Sequence, residues 1–177
     1  AKRISQKFTE LVKEKPTPKG FNMIPGLFSW AAVIGFGKQL GATPNGRRAG
    51  DPVSHGPNPD PGFNEGKGGT PTQMVSAVAE VQPGYGNAAP LQLDLDPGMG
   101  NSKEELDKVA ALIKSHFDMG GTMININVLD KKTILEAHKD PYKYPELIVR
   151  VTGFSAYFAS LSPELRQYVV DRIIDND

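Results

Sequence analysis

The residues with the most distinctive chemistry are Arg150-Val151-Thr152-Gly153-Phe154-Ser155-Ala156-Tyr157-Phe158. A single glycine stands among apolar and aromatic neighbours. Connecting loops are usually polar and exposed, so Val151, Phe154, Tyr157 and Phe158 predict a loop that is buried. A turn glycine with positive φ accounts for the residue without any chemistry. The chemical alternative is hydrogen loss from Cα. Only glycine leaves a planar, side-chain-free radical there, delocalised between the flanking amide nitrogen and carbonyl. Such a radical is destroyed by oxygen and needs a water-poor, apolar wrapping. Four other groups invite a chemical reading. Arg47 and Arg48 present planar forks suited to a carboxylate or phosphate, or equally to backbone carbonyls. Asn125 and Asn127 fall on one face of a predicted strand, which either faces solvent or, if it points into a barrel, needs partners for its amides. Asp94 and Asp96 share a strand face without histidine support and read as solvated rather than metal-binding. His55 is a lone loop histidine and reads as a surface or packing residue.

The glycine segment resembles the radical signature near the C-terminus of glycyl radical enzymes, a family that includes pyruvate formate-lyase, radical dehydratases, radical decarboxylases and fumarate-adding enzymes. Two further stretches carry the likeness. Gly120-Gly121-Thr122-Met123-Ile124-Asn125-Ile126-Asn127-Val128, with Asp140-Pro141-Tyr142-Lys143-Tyr144-Pro145-Glu146-Leu147, is similar to the segment leading into the glycine loop. Upstream, Gly41-Ala42-Thr43-Pro44-Asn45-Gly46-Arg47-Arg48-Ala49-Gly50 is similar to the family's Gly-Arg-Arg loop. The resemblance implies a radical stored on Gly153 and surrounded by Arg150, Val151, Thr152, Phe154, Ser155 and Tyr157. Asn125, Asn127, Arg47 and Arg48 become candidates for contact with the loop or the substrate region. It implies no bound cofactor and no metal. The radical is a modification installed by a radical S-adenosylmethionine activating enzyme. The implied fold is α/β, the C-terminal part of a ten-stranded α/β barrel with the glycine loop buried at its centre.

The composition narrows the classes. Twenty basic residues balance twenty acidic ones, so nothing points to nucleic acid or an anionic membrane as partner. No apolar run reaches the roughly 18 residues of a transmembrane helix, and no signal-peptide pattern opens the sequence; the cytoplasm is the expected location. Ala1 rather than Met is the first residue, which reads as processing or as an excised piece. There is no cysteine, which removes disulfides, thiolate metal sites and a cysteine nucleophile from these residues. In the resembling family the chemistry belongs to a thiyl radical on a cysteine upstream of all three motifs. The expected partner is therefore a large subunit or N-terminal part that carries that cysteine.

The elements that must position Gly153 can be read in order. Ile4, Phe8, Leu11 and Val12 form one stripe of a helix over 3–14, ended by Pro16 and Pro18. Residues 1–20 read as an N-terminal helix and linker, and 21–177 as the radical domain. A strand is expected over 28–35, with Trp30 as core residue or pocket wall. Gly35-Phe36-Gly37 lacks the spacing of a nucleotide-binding loop. Residues 41–70 form a long Gly/Pro-rich loop, and Thr70-Pro71 opens a helix carrying Met74, Val75, Val78 and Val81. Leu91, Leu93 and Leu95 alternate with polar residues, as in a half-buried strand. Ser102 and Glu105 form a capping box for a helix to about Asp118, with Leu106, Val109, Ala110, Ile113 and Phe117 on one side. Strand 122–128 follows, then a helix from Asp130 to about His138. The Gly153 loop joins the end of a buried strand at Leu147-Ile148-Val149 to a last helix over 163–175. That helix turns Leu165, Tyr168, Val169 and Ile173 inward and should clamp the loop.

Three functions fit these observations. The first is the radical-bearing domain or small subunit of an oxygen-sensitive, anaerobic enzyme, with the aromatic loop favouring a lyase (dehydration, decarboxylation or C–X cleavage). The second is a spare part that restores an oxygen-damaged formate C-acetyltransferase-like enzyme. The third is a non-catalytic interaction module. Open barrel edges predict a chain that aggregates or dimerises when alone.

Overall fold

The computed structural model describes residues 2–26, 32–54, 58, 70–82 and 90–174. Within them the order is α1 (Lys2–Glu14), α2 (Val33–Lys38), α3 (Pro71–Val81), β1 (Leu91–Leu95), α4 (Lys103–Asp118), β2 (Ile124–Val128), α5 (Lys131–Lys139), β3 (Ile148–Arg150), β4 (Ser155–Tyr157) and α6 (Pro163–Ile174). Single 3₁₀ turns span Pro97–Gly100 and Phe158–Ser160. The class is α/β. β1 and β2 pair in parallel across the α4 crossover, with Leu91 opposite Ile124 and Asp94 opposite Asn127. β3 and β4 form a separate antiparallel hairpin.

Local chemistry sets the helix starts. Thr70 with Gln73, and Ser102 with Glu105, close reciprocal capping boxes on α3 and α4. These satisfy amide groups that the first helical turn leaves without partners. Asp130 accepts from the Thr133 amide and hydroxyl at the head of α5. The Thr133 hydroxyl, aided by its amide, holds the Asp130 carboxyl below its usual range. Ser162 accepts from the Leu165 amide, with Pro163 opening α6.

Two apolar clusters follow. Val75, Val78 and Leu91, joined by Met74, Leu112 and Ile124, pack α3 and α4 onto the parallel pair. The larger cluster joins α5, α6 and the hairpin through Ile134, Ala137, Val149, Val151, Phe158, Leu161, Val169 and Val170. Each large apolar side chain buried there contributes roughly 1.5–3 kcal/mol, so the hairpin stalk is part of a core.

Four sequence expectations need correction. Residues 33–35 belong to α2, not to a strand; positions 28–31, Trp30 included, lie outside the described residues, as does His55. Val33 and Gly37, one turn apart, are buried against the 51–53 segment. Tertiary packing there overrides the β-preference of Val33 and Ile34. Second, β1 is buried on both faces, with Gln92 only 1% exposed. Third, Asp94 and Asp96 do not form a solvated face: Asp94 is in a buried ion pair, and Asp96 caps the first 3₁₀ turn through the Gly98 amide. Fourth, Leu106 and Phe117 are exposed, and α4 instead buries His116.

Candidate functional site

Gly153 stands at the tip of a hairpin, not on a direct strand-to-helix loop. Ile148 faces Tyr157, Val149 faces Ala156 and Arg150 faces Ser155. The Val151 amide donates to the Phe154 carbonyl at 2.9 Å, leaving Thr152-Gly153 as the turn. Gly153 has φ +75°, the left-handed region that any residue with a Cβ enters at a cost. Turn geometry alone thus asks for glycine here.

The expectation of a buried loop holds for the stalk and fails at the tip. Val149, Val151, Thr152 and Phe158 are buried and Phe154 packs against the same cluster. Gly153 itself is exposed, as are Ile148 and Tyr157 on the other hairpin face. The physical reason is geometric: α5 and α6 cover one face of the hairpin, and the apolar cluster they share reaches Val151 and Phe154 on either side of the turn. The Thr152 hydroxyl and the Arg150 Nε are buried without a hydrogen-bond partner. Arg150 Nη1 reaches the Ser155 hydroxyl at 3.3 Å.

The base of the hairpin is tied to the parallel sheet through polar groups. Asn127 Oδ1 accepts from the Arg150 amide at 3.0 Å, and its Nδ2 lies 3.4 Å from the Arg150 carbonyl. The same Nδ2 donates to Asp94 Oδ1 at 2.6 Å. Arg172, in the last turn of α6, completes the network. Its Nε and Nη2 donate to Asp94 at 2.6 and 3.1 Å. Its Nη1 and Nη2 donate to the carbonyls of Val151 and Arg150, both at 2.8 Å. The Asp94 side chain is 5% exposed, so the pair is desolvated and stands only because its hydrogen bonds are filled. Tyr168, one turn earlier on α6, is buried next to this pair, and burial pushes its phenol well above the usual range. It is a neutral hydroxyl at physiological pH.

Of the sequence-derived site residues, Arg150, Val151, Thr152, Gly153, Phe154, Ser155 and Tyr157 share the hairpin, and Asn127 meets its base. Asn125, in register with Gln92, makes no hydrogen bond to the hairpin, and its Nδ2 is buried without a partner. Arg47 is 2% exposed. Its guanidinium donates to the carbonyls of Gly41, Arg48 and Asp51, knitting its own loop. Arg48 is exposed, and its amide meets Asp51. The hydrogen bonds described for these two arginines do not reach the hairpin. Sequence reasoning missed Arg172 and misread Asp94. The available signal was that Arg172 follows Tyr168 by four positions, on the inward face of α6. No group of three or more His, Cys, Asp or Glu among the described residues could hold a metal ion. No described helix is long and apolar enough to cross a membrane.

Comparison with known proteins agrees with this geometry. The family model described as "Glycine radical" matches residues 53–159, which includes both hairpin strands and the turn. The chain is 34% identical over 161 residues to trans-4-hydroxy-L-proline dehydratase of Clostridioides difficile, covering 91% of this chain and 20% of that protein. It is 33% identical over 177 residues to formate acetyltransferase 1 of Escherichia coli K12, covering 96% and 23%. The solved hydroxyproline dehydratase from Clostridioides difficile superposes with a TM-score of 0.75 at 32% identity, covering 96% of this chain and 21% of that one. The glycerol-bound B12-independent glycerol dehydratase from Clostridium butyricum gives 0.75 at 30%, covering 96% and 22%. The chain spans about a fifth of the length of these relatives. With the matched region covering more than half of the chain and including the hairpin that carries Gly153, the chain belongs to the glycyl radical enzyme family.

Proposed function

We propose that this chain is the C-terminal radical-bearing domain, or a small subunit, of a glycyl radical enzyme. Residues 21–177 form that domain, and residues 1–20 are an N-terminal helix and linker. Gly153 stores the radical, and Arg150, Val151, Thr152, Phe154, Ser155 and Tyr157 shape its loop. A radical S-adenosylmethionine enzyme removes the Cα hydrogen while the tip is accessible. The tip then enters the other part of the enzyme, where Gly153 takes a hydrogen from a cysteine and leaves a thiyl radical for the substrate. The observation that carries this reading is the left-handed, exposed Gly153 on an otherwise core-packed stalk. Exposure suits activation, and the apolar flanks suit burial afterwards.

The absence of cysteine among these residues supports a division of labour with another chain or segment. So do the open apolar faces. Val128 at the outer edge of the parallel pair is 61% exposed, and Ile148 and Tyr157 line the uncovered hairpin face. Such edges suit further strands of the same barrel. The reaction is a lyase reaction, dehydration, decarboxylation or C–X cleavage, a choice that rests on the aromatic Phe154-Ser155-Ala156-Tyr157 continuation. Replacement of an oxygen-damaged formate acetyltransferase tail is the second reading, favoured by the 33% identity to that enzyme.

Oxygen offers a test. After anaerobic activation, brief air exposure should cut the backbone at Gly153, with the fragments visible by intact-mass measurement and absent from Gly153→Ala. A chain that stays whole in reactions that have consumed S-adenosylmethionine would contradict the reading.

A further inference from the structure

We propose that Arg172 is the positioning residue of the Gly153 hairpin, and that its fork, seated on Asp94, which Asn127 also engages, sets how often the hairpin opens from the core. The hairpin strands are three residues each, and an isolated hairpin of that size is marginal in water. Its apolar contacts hold the stalk, but they are non-directional and do not fix where the Gly153 Cα stands. Direction comes from the polar base. The two carbonyls that Arg172 engages, on Arg150 and Val151, are the last before the Thr152-Gly153 turn. The other side of the guanidinium is committed to Asp94, which Asn127 also engages. Asn127 in turn holds the Arg150 amide. Both backbone groups of Arg150 are therefore held by side chains from other elements.

Three properties make this arrangement a clamp rather than a generic ion pair. It links α6 and β1 to the hairpin through one planar group, which a lysine cannot imitate. It grips backbone, so it is indifferent to the side chains of the hairpin. Its bonds are desolvated and mutually dependent, so they open together. The significance for activation rests on the proposed radical function; the clamp itself does not.

Backbone amide exchange on the intact chain reads the clamp directly. Two variants are compared with the parent: Arg172→Lys, which can keep the charge pair, and Asp94→Leu/Arg172→Met, which removes both charges and strands neither. In both, exchange at Arg150 and Val151 should accelerate about tenfold or more, the scale of losing charge-assisted hydrogen bonds. Amides of Ile134 and Ala137 in α5 should change by less than about twofold in the double variant. Equal acceleration in hairpin and α5, or none in either, would overturn the proposal, because Arg172 would then be only a general stabiliser or no restraint. A second readout follows radical formation in the same variants with the activating enzyme. The initial rate should rise with hairpin exchange. A parent radical whose rate is the same in variants with faster exchange would also overturn the clamp's role in hairpin opening. Faster exchange without a radical in any form, the parent included, would leave the clamp standing and remove the radical function.

Discussion

Replacing Gly121 by alanine should destabilise the fold by an amount that the geometry sets. A Cβ built on Gly121 would lie 2.1 Å from Nε2 of His116, 2.2 Å from Cδ2 and 2.4 Å from Cε1. Carbon atoms in good contact sit about 3.5–4 Å apart, so the ring must retreat by more than about an ångström. It has nowhere to go. His116 is fully buried, and its Nδ1 lies 3.3 Å from the Val75 carbonyl on α3. A carbonyl only accepts, so Nδ1 carries the hydrogen and Nε2 faces Gly121 without a partner. Overpacking of this kind costs about 1–3 kcal/mol and loss of the Val75 bond about 1 kcal/mol more. Urea unfolding followed by circular dichroism should show a lower midpoint at unchanged slope, equivalent to about 2–4 kcal/mol. The double variant His116→Ala/Gly121→Ala should be less destabilised than the sum of the two singles, because the new methyl partly fills the space the ring vacates. The pH dependence has a definite sign. Burial lowers the His116 pKa from its ordinary 6.5. Above that value the imidazole is neutral in both states. As pH falls below it the unfolded chain gains a proton that the folded chain resists, so stability drops until the lowered folded value is passed. His116→Gln should remove that part of the slope. A Gly121→Ala protein within about 0.5 kcal/mol of the parent, with additive double-variant energies, would refute the packing argument.

Two further perturbations probe other parts of the scaffold. Phe158→Ala should cost about 3–5 kcal/mol by opening the core beneath the hairpin, measured by the same unfolding assay. Because the Phe158 ring packs in the same cluster as Val149 and Val151 of the hairpin, hairpin amides should lose protection first. Ser102→Ala should cost about 1 kcal/mol by removing the capping box; a change in thermal midpoint larger than that of Phe158→Ala would invert the expected order.

Much of the scaffold was legible because its signals are local. Thr70, Ser102, Asp130 and Ser162 begin helices where their side chains can reach an amide three residues on, and the sequence shows that spacing directly. The turn at Gly153 was legible because glycine enters the left-handed region at no steric cost. What escaped depends on distant partners. Asp94 looked solvent-facing beside Asp96, since the arginine that neutralises it is 78 positions away. Leu106 and Phe117 fit a helical stripe, yet α4 buries its histidine, because the close approach of Gly121 leaves room for that ring. Arg47 could have gripped an external anion; the curl of its own loop puts three carbonyls within reach first. The tip of the hairpin was expected to be covered, and no local pattern in its sequence indicates how far a covering element lies from it.

Radical storage on Gly153 is tested most directly by an electron paramagnetic resonance spectrum of the chain after anaerobic treatment with a radical S-adenosylmethionine activating enzyme, S-adenosylmethionine and reductant. Spectra should be taken with and without a partner polypeptide carrying the family's cysteine. A radical on Gly153 gives a doublet split by its single remaining α-hydrogen. The doublet should collapse to a single line when the chain is made with α-deuterated glycine, and it should be missing from Gly153→Ala. A signal that survives Gly153→Ala, or no signal in either the presence or absence of the partner, would contradict it.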